Sequence, residues 1–479
     1  RMSSPPDRPG RDAEAGELMG WSSWLSGHIS QAATSTFHRL ELPHFTGCNL
    51  HISLVGHYTH PMAYAPRVVD DVIDRALSIA GAVLIEGVRA CGKTATGIQH
   101  NSALRPDIDD AARALAALDP ALVLEGARPR LIDEWQLEPR IWNRVRHEVD
   151  EQAAPGQFIL TGSATPSDDI TRHSGAGRIL RVRMRPMSLA ESEHSSATVS
   201  LAAIMDGTTI ASARSPLTVS ALADRIAVGG WPALQQLAPA DAQRILRSYL
   251  DDVARADVQL IDTAASRRDP VRLGRIMTSY ARHVSTSASL STIAADTAES
   301  GSREINADTA RVYLDLLQRV MVVEEQPSWG PHLRSRDIVR KAAVRHFADP
   351  SLAVAALGAS EQRLLRDPST MGLLFESLVV RDLRIYAQAL DGDVLHYRDS
   401  AGAEADAVVQ LRDGRWAMFE IKLGDGQVDA AAASLTKLEK KLDISRIGAP
   451  AAKVVITGGQ YAYTRPDGIV VVPLGCLGA

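Results

Sequence analysis

Lysine is scarce in this chain: of 52 basic residues among 479, seven are lysines and the rest are arginines. Composition alone therefore does not place a lysine inside "VLIEGVRACGKTATG", residues 83–97. Cysteine is scarcer still. Cys48, Cys91 and Cys476 are too few and too scattered for a disulfide framework, which fits a reducing cytoplasm. The sequence has no run of about 18 apolar residues, the length needed to cross a bilayer. Its first twenty residues are polar, without the apolar core of a secretory signal. The expectation is a cytoplasmic protein with no membrane partner. An excess of positive charge is also missing: the net charge is −5, so any nucleic-acid binding must come from a local patch. No internal repeat is found.

What is present reads as globular. A chain of 479 residues with 45% hydrophobic and 23% charged content divides into about three domains of ordinary size. Residues 1–62 stand apart as an N-terminal extension, read as disordered or as sequence upstream of a start at Met62. Its Cys48, His51, His57 and His60 form C-x-x-H and H-x-x-H, but the spacer between them is shorter than the usual zinc-finger loop. From 63 to 195 apolar runs alternate with amphipathic segments, as in a mostly parallel α/β sheet, with strands expected at 82–86, 129–133, 157–161 and 178–184. Residues 196–345 are helical in pattern. In them "SLSTIAADTA" and "NADTARVYLDLLQRVMVVEE" predict helix, loop, helix and strand, the order of a winged helix. Residues 346–479 form a further α/β domain.

Gly87, four residues, then Gly92, Lys93 and Thr94 satisfy G-x-x-x-x-G-K-[ST] between a strand and a helix. Such a loop turns backbone N–H groups onto phosphate oxygens, an ammonium reaches the terminal phosphates, and the Thr94 hydroxyl holds Mg²⁺. About forty residues on, "PRLIDEWQ" ends an apolar run in two carboxylates. Asp133 is assigned to the metal and Glu134 to activation of water, although such a pair alone is more often a helix N-cap. Thr161 and Ser163 in "ILTGSA" either sense the terminal phosphate or form a turn. Arg178 in "GAGR" is the candidate arginine finger. Arg181, Arg183 and Arg185 alternate along one strand face, where a cationic edge that deters sheet pairing explains them equally well.

"GVRACGKTATG", "LIDEWQLEPRIWNRVRHEVDE", "GQFILTGSA" and "GRILRVRMRPMSLAES" together resemble the AAA-like P-loop ATPases of bacteria and archaea that continue into a C-terminal domain of unknown function with a restriction-nuclease-like core. The resemblance covers residues 66 to about 440. Where family members often carry a further apolar residue after the loop, this chain has Ala95, Thr96 and Gly97, a departure that bears on helix packing rather than on phosphate binding.

In the winged-helix candidate, Val312, Leu316, Leu317 and Val320 recur at helical spacing, while Asp308 and Asp315 dilute the charge of Arg311 and Arg319. DNA recognition and a plain protein-interaction module remain equally open. Residues 404–423 read as a hairpin turning at "RDGR". A two-residue loop mixes its faces. A three-residue loop, Arg412 to Gly414, pairs Ala407 with Phe419, Val409 with Ala417 and Ala405 with Ile421 on one apolar face. The other face then sets Asp406 across from Glu420 and Glu404 across from Lys422. Oxygen donors of this kind suit Mg²⁺, and a lysine beside them can stabilise developing charge, although a cross-strand salt bridge is the commoner use. The set is similar to the PD-(D/E)XK nuclease core. That resemblance implies Asp406 as the first acid, Glu420 and Lys422 as its E-x-K, and Glu376 in "LLFESLVVRDL" as the helical acid.

The reading is thus an ATPase with ATP and Mg²⁺ as cofactors, acting on DNA through its winged-helix and nuclease-like segments. A metal-dependent DNA nuclease that uses ATP as a switch, and an ATP-binding interaction protein with little turnover, are the alternatives. Arg178 would serve its own nucleotide or, in a homo-oligomer, a neighbour's.

Overall fold

A central parallel sheet presents the phosphate loop. In the computed structural model, which describes residues 64–100, 103–104, 110–163, 174–257, 269–297, 305–332 and 342–479, this sheet comprises β1 (Ala82–Glu86), β2 (Ala103–Leu104), β3 (Arg130–Ile132), β4 (Phe158–Gly162) and β5 (Ile179–Arg183). Their order is β2-β3-β4-β1-β5 and every pairing is parallel. Four expected strands are found within a residue or two; β2 is too short to leave a pattern. Ala82 to Ile85 are buried, as a strand covered on both faces requires. The helix Val68–Ile79 packs on the sheet through Val69, Ile73 and Ala76. Cys48, His51, His57 and His60 lie outside the described residues, as does the rest of the N-terminal extension.

The second sheet has the order β7-β12-β13-β11-β10-β9-β8. Its strands are β7 (Ala213–Arg214), β8 (Gly392–Arg398), β9 (Glu404–Leu411), β10 (Trp416–Lys422), β11 (Lys453–Thr457), β12 (Tyr461–Thr464) and β13 (Val470–Pro473). The helix Pro368–Ala389 covers one face through Leu374, Phe375 and Leu378, against Ala407, Val409, Ala417 and Phe419. The helix Val428–Lys441 covers the other, burying Val408, Trp416 and Met418 under Ala431 and Leu435. The hairpin is thus apolar on both faces, where one was expected.

Chain order and spatial order part company after residue 195. Strand β6 (Val199–Ser200) pairs with β14 (Leu477–Gly478) at the C-terminus, and β7 pairs with β12. The opening of the expected middle region therefore belongs to the C-terminal sheet. Beyond it the helices Leu290–Ala295 and Ala307–Arg319 are followed by an extended segment whose Val323 and Gln326 bridge antiparallel to Phe347 and Val344. On Ala307–Arg319 the buried side is Ala310, Tyr313, Leu314, Leu316 and Leu317, whereas Val312, expected inside, is exposed.

A buried ion network joins the parts. Arg381 donates to Asp349 at 2.7 Å and to Asp382 at 2.8 Å, and all three side chains are at most 2% exposed. Asp349 also accepts the Gly230 N–H at 2.9 Å, and Asp382 accepts the Leu189 N–H at 3.0 Å. One guanidinium therefore ties the segment after β5, the loop at Gly230 and the helix carrying Glu376. A second tie runs from Arg185 to Glu324, with nitrogen–oxygen distances of 2.6 and 3.0 Å.

Candidate functional site

The loop between β1 and the helix Lys93–His100 is shaped by close approach. A β-carbon on Gly87 would sit 2.1 Å from the Met184 carbonyl oxygen, so only glycine fits there. The buried Lys93 ammonium donates to the Gly87 and Val88 carbonyls at 2.9 and 3.1 Å. Main-chain oxygens, not a carboxylate, hold this charge. Gly97 settles the packing question raised by the departure after the loop: its missing β-carbon would meet Leu131 Cδ1 at 2.9 Å, so glycine lets the helix sit down on β3.

Thr94 Oγ1 lies 2.9 Å from both oxygens of Asp133, which is buried just past β3. Glu134 follows with left-handed backbone (φ 49°), and its carboxylate finds partners different from those of Asp133. Gln136 and Ser163 both donate to Glu134 Oε2, Ser163 at 3.2 Å. Thr161 donates to Asp133 and accepts the Glu134 N–H at 3.0 Å. Thr161 and Ser163 thus hold the two acids; Thr161, read as a phosphate sensor or part of a turn, has its hydroxyl on Asp133.

Arg178 is not brought to this site. It precedes β5, and β5 runs parallel to β1 with Ala82 opposite Ile179 and Glu86 opposite Arg183. The loop leaves the other end of β1, about 16 Å away at roughly 3.3 Å per residue. There Arg178 binds Asp150 at 2.8 Å. Arg181 pairs with Glu86 at 2.8 Å and Arg185 is taken up by Glu324. Arg67 does touch the loop: it donates to the Cys91 carbonyl at 3.1 Å and to Glu191 at 3.0 Å. Pro232 closes in as well, since a β-carbon on Gly92 would stand 3.5 Å from its Cγ. Sequence reasoning missed Arg67, Glu191, Gln136 and Pro232. Only Gln136, two residues after Glu134, has a local signal.

The second constellation gathers Glu376, Asp406, Glu420 and Lys422. The three-residue hairpin loop is observed, with Leu411 N–H bonded to Arg415 and Ala407 opposite Phe419. Past that pair the expected ladder stops. Asp406 does not face Glu420 across paired backbone; its carboxylate instead accepts the Ile421 N–H at 2.7 Å. Lys422 Nζ lies 3.0 Å from Asp406 and 2.8 Å from Glu420, so both carboxylates converge on one cation. Ser434 donates to Glu420 at 3.0 Å. Oxygen donors converging in this way fit Mg²⁺ chemically, although among the described residues no group of three or more His, Cys, Asp or Glu is arranged to hold a metal ion.

Burial, reinforced by Asp406, raises the Glu376 carboxyl well above the usual range. The same two causes push Glu420 up to about 7. Burial opposes the charge on Lys422, but Asp406 and Glu420 outweigh it and raise its pKa. Between the ordinary 4.5 of a glutamate and about 7 the folded chain keeps a proton on Glu420 that the unfolded chain has released. This group's contribution to stability therefore falls as pH rises through that window. Glu420→Gln cannot ionise, so its thermal midpoint is expected to gain on the parent's between about pH 5 and pH 8. A difference that stays flat over that range removes the inference.

A parallel sheet delivering a glycine loop, a buried lysine and a threonine–aspartate pair is consistent with a P-loop-like domain. Residues 80–193 match the model of a family described as an AAA domain, which implies nucleotide binding. Residues 219–363 match a domain of unknown function (DUF8612), and residues 371–477 another (DUF4143). The chain is 25% identical over 407 residues to the uncharacterized protein Mb2031c of Mycobacterium bovis, spanning 83% of this chain and 81% of the relative. The same values hold for the uncharacterized protein Rv2008c of Mycobacterium tuberculosis. Among the described residues no helix is long and apolar enough to cross a membrane.

Proposed function

We propose that the chain is a Mg²⁺-dependent ATPase whose nucleotide state is coupled to DNA binding by its middle and C-terminal segments. The observation that carries the ATPase reading is the Thr94–Asp133 pair, set beside Glu134 and one residue from Lys93. Lys93 and the loop N–H groups bind the triphosphate, and Thr94 and Asp133 hold the metal. Glu134, oriented by Ser163 and Gln136, accepts a proton from the attacking water. Bound Mg²⁺ would supply charge neutralisation at the phosphates. Arg178 is left with a role toward a neighbouring subunit's nucleotide in a homo-oligomer.

The convergence of Asp406 and Glu420 on one cation favours a second reading, a metal-dependent DNA nuclease with ATP as its switch. Asp406 and Glu420 would ligate Mg²⁺, with Glu376 as the helical acid and Lys422 beside the scissile phosphate. One set of reactions tests both. Phosphate release from ATP in Mg²⁺ is expected to vanish in Lys93→Ala and to change when DNA is added. Equal release by parent and variant ends the ATPase reading. Cleavage of the same DNA, lost in Asp406→Ala and Lys422→Ala and present but no longer responsive to ATP in Lys93→Ala, would select the nuclease.

A further inference from the structure

The carboxylate of Asp406 is aimed by an irregularity in its strand. Leu395 faces Val408 and Tyr397 faces Ala405, so Asp406 and Ala407 together stand opposite the single residue His396. A bulge of this kind bends the strand, re-aims a side chain and leaves backbone groups outside the ladder. It also explains why Ala405, expected beside Ile421, packs with Val408 on the other face. Regular alternation would restore the expected pairing, so something must hold the bulge against it.

Gln326 is in place to do so. Its amide nitrogen donates to the carbonyl oxygens of both Leu395 and Asp406, at 3.0 Å each, and the side chain is fully buried. With both N–H groups committed, its Oε1 can only accept. His346 Nε2, 3.1 Å away, must therefore be the donor. Burial holds the His346 imidazole well below its ordinary pKa. The ring is thus neutral, and its bare Nδ1 accepts from the Ser377 hydroxyl at 3.1 Å. Ser377 follows Glu376 on the helix Pro368–Ala389. A directed chain of bonds, Ser377 to His346 to Gln326 to the Asp406 carbonyl, joins the neighbour of the helical acid to the strand acid.

We infer that Gln326 and His346, from the segments flanking 333–341, are positioning residues for the acid–lysine site: they stabilise the bulge that turns Asp406 toward Lys422 and Glu420. This rests on reading that site as a metal centre. Groups that orient ligands from behind are worth about 10–100-fold in metal affinity.

The test is Mn²⁺ binding to the full chain without nucleotide, followed by electron paramagnetic resonance, with Asp406→Asn defining the signal that belongs to this site. Gln326→Leu and His346→Leu are expected to weaken that signal's affinity by about 10–100-fold. His346→Gln, which keeps an N–H directed at Gln326, is expected to recover most of it. Should the leucine variants fail to fold by circular dichroism, Gln326→Asn, too short to reach both carbonyls, is expected to show the loss. Parent-like affinity in the folded variants, or equal loss in His346→Gln and His346→Leu, overturns the positioning role. Absence of any Asp406-dependent Mn²⁺ signal in the parent overturns the metal reading itself.

Discussion

Glu134→Gln is expected to lower ATP turnover by about 10²–10⁴-fold, the usual range for removing a general base, while leaving ATP affinity close to the parent's. The substitution is nearly isosteric, and its amide oxygen can still accept from Ser163, so the loop is not disturbed. What it removes is the lone pair that takes a proton from water. Lys93→Ala acts one step earlier, abolishing binding through loss of the charge now held by the Gly87 and Val88 carbonyls. Single-turnover phosphate release with calorimetry on the same samples separates the two variants. If Glu134→Gln hydrolyses ATP at the parent's rate, Glu134 is not the base.

Arg381→Leu is expected to cost about 3–5 kcal/mol of stability, the range for breaking a buried ion pair from one side. Two carboxylates lose their counter-ion at once, and neither can turn to water: Asp349 and Asp382 are fully buried. Burial already pushes the Asp382 carboxyl up to about 6 even with Arg381 present. Adding Asp349→Asn and Asp382→Asn to Arg381→Leu should recover much of the loss, because the penalty belongs to the orphaned charges rather than to the missing pair. Thermal and urea midpoints of the parent, the single variant and the triple variant decide it. A single variant as stable as the parent would mean that the network contributes little.

The phosphate-loop site was legible because its chemistry is packed into short stretches: Gly87 to Thr94 is one turn and a helix start, and Asp133 and Glu134 are neighbours. Strand direction is legible too, and it bears on Arg178. A residue before a strand parallel to β1 must lie at the end the loop does not occupy. The hairpin was read correctly as far as Ala407 and Phe419, since apolar alternation fixes register there. It failed at Asp406 because the bulge is held by Gln326, eighty residues earlier, and no local pattern records that contact. Val312 failed differently. Its helix buries the Tyr313 and Leu314 side, and periodicity alone did not choose between two apolar stripes. Arg67 and Glu191 are 124 positions apart and meet only in three dimensions.

The interleaving of β6 and β7 with β14 and β12 stitches the beginning of the expected middle region to the very end of the chain. Severing the polypeptide near residue 346 would strip two ribbons from the C-terminal half and leave raw hydrogen-bonding rims for stray strands to seize. A fragment cut there would leave β12 and β14 without the partners that close their outer edges.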